Sequence, residues 1–129
     1  MRTALICVLI AGLMPYLWTA VAKVLGPRYD NRNVREWQSR LTGMAQRAHA
    51  AHLNSFEAFP FFAAAVLAAI AAQADMQRVA ILSVAFVMAR VAYGLVYIAN
   101  VAVMRSLVWF FGLACVFAIF LTALQATTA

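Results

Sequence analysis

Apolar residues run along this chain in four long stretches, and the polar residues collect between them. The first stretch, Thr3 to Ala22, has twenty residues without a charge, enough for a helix to cross the ~30 Å hydrocarbon layer of a bilayer. Pro15 lies within it, a defect that neighbouring membrane helices can absorb. Gly26-Pro27 ends the run. Residues 23–43, KVLGPRYDNRNVREWQSRLTG, form a polar, basic loop with one amphipathic helical turn expected around VREWQSRL. A second apolar run builds from about Ala45 to Ala74, and QADMQR makes a tight polar turn. The third run extends from Val79 to Met104 with Arg90 as its only charge. Beyond NVAVMRS, the fourth, Ser106 to Ala129, has no charge at all.

Four spans with short connections predict an all-α integral membrane protein, a four-transmembrane-helix up-down bundle in a single domain of residues 1–129. Open sheets fail because lipid leaves their edges without hydrogen bonds, and a barrel needs a two-residue alternation that these alanine-rich runs lack. Composition agrees. The chain is 67% hydrophobic and 11% charged, where soluble domains carry about a quarter charged residues. The first run reads as a span rather than a cleaved leader, being long and lacking a clear small-residue cleavage site.

The net charge of +6 raises nucleic acid as a partner, but the distribution of the cations argues against it. Lys23, Arg28, Arg32, Arg35, Arg40, Arg47 and Arg105 fall on one side of the predicted membrane, and only Arg2 and Arg78 on the other. That asymmetry is the positive-inside pattern, with the first and third loops cytoplasmic and both termini outside. Cys7 and Cys115 sit in apolar runs at different expected depths, so both read as small buried hydrophobes rather than a disulfide.

The chemistry lies where polar residues interrupt the spans. In RAHAAHLNSFEAFPFFAAAVLAA, residues 47–69, a carboxylate appears as the segment turns to hydrocarbon. At 100° per residue Arg47, Ala50, Asn54 and Glu57 fall within about 80° of each other on one helix face. His49 and His52 point elsewhere, and with no cysteine or second acid to complete a shell they read as satisfied histidines rather than a metal site. A charge at bilayer depth costs at least ~2.5–3.5 kcal/mol and so faces the bundle interior with a partner. Glu57 and Arg90 reach similar depths, which predicts an ion pair between the second and third spans; such a pair could bind a ligand or simply hold the helices together. Arg90, Tyr93 and Tyr97 share one face of the third span. The two faces together predict a polar cleft suited to a small anionic or zwitterionic ligand.

The pattern R…N-x-x-E-x-x-P on the second span, with R-x-x-Y-x-x-x-Y on the third, resembles the MAPEG superfamily, membrane proteins of eicosanoid and glutathione metabolism. RAHAAHLNSFEAFPFF and RSLVWFFG are similar to its bacterial branch, which implies the bacterial inner membrane. The resemblance implies a homotrimer holding glutathione between subunits near the cytoplasmic end. Asn54 and Glu57 match the family's asparagine and glutamate, the latter meeting the peptide's ammonium; Arg47 matches one arginine, and Arg90, Tyr93 and Tyr97 match the third-span polar face. Arg105 is the nearest candidate for the catalytic cation that stabilises the thiolate. Ala50 and Ala58 depart from the pattern, standing where some members carry an arginine and a tyrosine. The implied function is a glutathione-dependent transferase or peroxidase acting on lipophilic electrophiles. The alternatives are a non-catalytic trimer binding a lipid or small anion in the same cleft, and a small exporter, which Arg90 beside Glu57 disfavours.

Overall fold

Among the described residues five helices form, and four of them are long and apolar enough to cross a membrane, so the chain is a multi-pass membrane protein. They are seen in a computed structural model that describes residues 1–128. The spans are α1 (Arg2–Leu25), α3 (Gly43–Ala71), α4 (Met76–Ile98) and α5 (Ala102–Thr127), with the short α2 (Val34–Ser39) in the first loop. Helix α2 is the amphipathic turn expected from VREWQSRL.

Both tight turns stop their helices in the same way. Gln73 and Asn100 adopt positive φ, 52° and 63°, just past the last helical residues. In each turn two N–H groups reach back to orphan carbonyls: Ala74 N to Ala69 O and Gln73 N to Ile70 O, then Val101 N to Val96 O and Asn100 N to Tyr97 O. This is the Schellman pattern, formed here without glycine. Asp75 then caps α4 by accepting from the N–H groups of Gln77 and Arg78 at 3.0 and 3.2 Å. The third span therefore ends at Ile98, not at Met104 as the unbroken hydrophobicity implied. Arg105 consequently sits in the first turn of α5 rather than in a connecting loop.

Turns of this length make α3, α4 and α5 antiparallel neighbours. Helix α1 lies along α3 and also touches α4, while α5 packs on α4 and α3. Helices α3 and α4 thus form the central pair. Alanines at the α1–α3 seam, including Ala4, Ala11, Ala65 and Ala69, let the backbones approach closely. Phe62 stacks on Phe86 with ring centroids 4.0 Å apart, joining α3 to α4. Buried hydroxyls are satisfied locally: Ser55, Ser83 and Thr122 each donate to the carbonyl four residues back. Large side chains such as Leu9, Leu13, Ile81, Met88, Phe110 and Leu121 point outward, as lipid-facing residues do.

The first loop is folded rather than slack. Trp37 of α2 is buried against Ala22, Leu41, Ala45 and Ala48, and its indole N–H donates to Pro27 O at 3.0 Å. Tyr29 meets the Trp37 ring edge-on at 5.0 Å, and the Lys23 ammonium lies 3.7 Å from the centre of the Tyr29 ring. Asp30 accepts from the Arg32 N–H at 2.8 Å and from the Asn33 amide, which together hold its carboxyl below the ordinary carboxylate range.

Helices α1 and α4 meet where Trp18 lies against Gly94, and a β-carbon on residue 94 would collide with the indole. Overpacking of this kind costs about 1–3 kcal/mol. Gly94→Ala is expected to lower the thermal midpoint of the detergent-solubilised protein, and Trp18→Phe in the same chain to restore part of the loss. An unchanged midpoint in the single variant would show that the two helices are not clamped there.

Candidate functional site

Arg90 is 4% exposed in the middle of the bundle. Its Nη2 donates to Asn54 Oδ1 at 2.8 Å, and Asn54 Nδ2 donates to Glu57 Oε2 at 3.1 Å. The orientation of the amide follows from chemistry, since a guanidinium only donates and a carboxylate only accepts. Asn54 thus stands between the two charges. The expected Glu57–Arg90 ion pair does not form; among the described residues the one ion pair is Arg40–Glu36 in the first loop. Asn54 precedes Glu57 by one helical turn, which puts its amide in reach of both. The Arg90 Nε is buried without a hydrogen-bond partner.

Glu57 lies at the centre of α3, and its side chain is exposed at the surface of the chain. Pro60, one turn further on, has no N–H to offer the Phe56 carbonyl, so this stretch of α3 carries a spare acceptor beside the carboxylate. A cavity of about 220 Å³ opens here between α3, α4 and α5. Asn54, Glu57 and Arg90 make its polar wall; Phe61, Phe86, Trp109, Leu113 and Val116 make the rest apolar.

From Arg90 toward the loop end of the bundle, two rings stand between two cations. The Arg90 guanidinium lies 4.4 Å from the centre of the Tyr93 ring, and Tyr93 meets Tyr97 at 5.5 Å in a T-shaped contact. Arg105 covers Tyr97 at 4.5 Å. Helical spacing on α4 sets the first three members, and the Asn100 turn brings Arg105 back over the last. A second cavity, about 110 Å³, is lined by Tyr93, Arg105, Ser106, Trp109 and Phe110. Trp109 borders both cavities.

Arg47 takes a different position from the cleft expected of it. Its Nε donates at 2.8 Å to Ile98 O, one of the last carbonyls of α4, where a cation also suits the helix dipole. It lines neither cavity. The contacts Arg47–Ile98 and Asn54–Arg90 fix the antiparallel register of α3 on α4. His52 is held structurally, with Nδ1 at 2.8 Å from Thr19 Oγ1 and 2.9 Å from Pro15 O, tying α3 to the proline turn of α1. His49 stacks on it at 5.5 Å.

The structure therefore groups Asn54, Glu57 and Arg90 at one cavity and Tyr93 and Arg105 at another, with Tyr97 beneath Arg105 and Arg47 at the helix end. Trp109 and Gly112 are wall residues that the sequence did not single out, because both lie in a charge-free run where every residue looks like lipid contact. Their one signal is spacing: Arg105, Trp109 and Gly112 follow one another at four and three residues, a single face of α5.

A membrane-spanning four-helix bundle with an intramembrane polar cluster is the class that these features define. The model of the MAPEG family matches residues 3–125, so the chain belongs to that family. Comparison with curated proteins and with solved structures gives no match.

If Asn54 is the sole hydrogen-bond partner of a buried guanidinium, the two residues must be energetically coupled. A double-mutant cycle of Asn54→Ala and Arg90→Leu is expected to give a coupling of about 0.5–3 kcal/mol. Asn54→Ala alone should be destabilising, because it strands a charge. Additive effects in thermal unfolding would mean that Arg90 finds its partner elsewhere.

Proposed function

We propose that this protein is a glutathione-dependent transferase or peroxidase for lipophilic electrophiles, working as a homotrimer in a bacterial inner membrane with its first loop cytoplasmic and both termini outside. The observation that carries this reading is the meeting of two kinds of wall at Trp109. On one side lies the cation of Arg105, and on the other a cavity that is polar at Asn54, Glu57 and Arg90 and apolar elsewhere. A reaction between a charged thiol peptide and a membrane-soluble partner needs both.

Family membership supports the thiol peptide as co-substrate. The side chains suit its groups: Glu57 for the ammonium and Arg90, in the same cavity wall, for a carboxylate. Asn54 holds Arg90 and Glu57 apart and ready, and Tyr93 lines the neighbouring cavity with Tyr97 beneath Arg105. Trimerisation accounts for two otherwise costly features. An exposed carboxylate halfway along a span is disfavoured by several kcal/mol in lipid. The cavity beside Glu57, about 220 Å³, is also below the roughly 300–1,000 Å³ of sites that enclose a small ligand, so a neighbouring subunit would complete it.

The role of Arg105 is to favour the thiolate, the form that attacks. The thiol proton passes to water, sulfur bonds to the electrophilic carbon, and the leaving group departs with the bonding pair. With a hydroperoxide, sulfur instead takes the terminal oxygen and an alcohol leaves; a second thiol then yields the disulfide and water.

A second reading, a non-catalytic trimer binding a lipid or small anion in the same cleft, draws on two observations. The Arg105 guanidinium is already engaged over Tyr97, and Ala50 and Ala58 offer no cation or phenol. Thiolate absorbance separates the two. Arg105→Leu in the purified protein is expected to abolish the ultraviolet thiolate signal and to cut conjugation by on the order of 10²-fold or more. Its affinity for the non-reactive S-hexyl conjugate, followed by calorimetry, should fall much less. A wild type with no thiolate signal and no turnover, but with conjugate binding, would establish the binding protein instead.

Glu57 is tested separately. Glu57→Gln keeps the shape and the Asn54 contact while removing the charge, so it is expected to weaken glutathione binding with the oligomer intact by cross-linking. Unchanged affinity in an assembled Glu57→Gln protein would take this residue out of the site.

A further inference from the structure

The first loop carries more positive charge than its acids can balance. Asp30 is occupied by the Arg32 N–H and the Asn33 amide, and Glu36 is paired with Arg40. Arg28, Arg32 and Arg35 are exposed, and none has an ion-pair partner among the described residues. They are held by a folded support, since Trp37 is buried and hydrogen-bonded to Pro27 O and Tyr29 packs on it. The arginines are therefore presented from a fixed surface rather than from a floppy linker.

The place of that surface identifies its partner. The loop joins the ends of two membrane spans directly, α1 at Leu25 and α3 at Gly43. Exposed apolar residues flank it, Val24 at 83% and Met44 at 52% exposed, where acyl chains would lie. We propose that residues 26–42 form a binding surface for anionic phospholipid headgroups, with Arg28, Arg32 and Arg35 gripping the phosphate. A guanidinium offers paired donors to phosphate oxygens, and a glycerol headgroup, unlike a choline one, brings no ammonium of its own to repel it. A soluble acidic peptide would satisfy the arginines equally, but the headgroup layer already lies beside the loop, where α1 and α3 enter the membrane.

The test uses the full chain in nanodiscs of mixed phosphatidylcholine and phosphatidylglycerol, with co-purifying lipid counted by native mass spectrometry. Wild type is expected to retain phosphatidylglycerol in excess of its bulk fraction. Each arginine near an anionic surface contributes on the order of fivefold in binding. Arg28→Gln/Arg32→Gln/Arg35→Gln should therefore lose the excess, and so should wild type in high salt. Arg2→Gln/Arg78→Gln, which removes cations from the opposite end of the bundle, should keep it. Because the three arginines are exposed, the variant should fold, as its thermal midpoint will report. No enrichment in wild type, or equal enrichment in the triple variant, overturns the proposal. Binding of a polyglutamate peptide without lipid enrichment would assign the surface to an acidic protein instead.

Discussion

A guanidinium in the hydrocarbon layer must find its hydrogen bonds inside its own protein, and the arrangement of this bundle follows from how Arg90 does so. Burial of Arg90 in α4 requires an acceptor on a neighbouring helix at the same depth, and Asn54 of α3 is that acceptor. Once the two meet, the register of the central helix pair is set, and Arg47 repeats the constraint nearer the loop end through Ile98 O. The amide also relays the contact to Glu57. One neutral side chain thus serves a cation and an anion together, and neither charge is cancelled outright as it would be in a direct ion pair. A binding site benefits from that arrangement, because both charges remain able to answer a ligand.

Stacking extends the same logic along α4. The faces of Tyr93 and Tyr97 carry negative potential, so Arg90 and Arg105 can each rest on a ring without an acid nearby. The rings thereby let two positive groups stand within an apolar bundle, each at its own cavity.

Much of this was legible in the chain. Apolar runs long enough to span, broken by Gly26-Pro27 and by QADMQR, gave the helix count, and helical spacing placed Asn54 with Glu57 and Arg90 with Tyr93 and Tyr97 on common faces. Two things escaped. The end of α4 was hidden because Val101, Val103 and Met104 are as apolar as the helix before them; Asn100, one of the few residues that accepts positive φ, was the available signal. The partner of Arg90 was misassigned because opposite charges suggest a pair, whereas side-chain reach and helix phase selected the amide one turn earlier. Trp109 was invisible for a third reason: in a lipid-facing composition, periodicity cannot tell a cavity wall from a lipid contact.

The direction of the chain gives the Asn54–Arg90 contact a meaning beyond the finished fold. Synthesis runs from the N-terminus, so α3 leaves the ribosome before α4, and the four residues 72–75 between them bring the two out almost as a hairpin. The acceptor is therefore already in place when the cation follows. Had the order been reversed, a lone arginine would have had to wait in lipid for a partner not yet made. Biogenesis meets its most expensive residue only after the means of accommodating it has arrived.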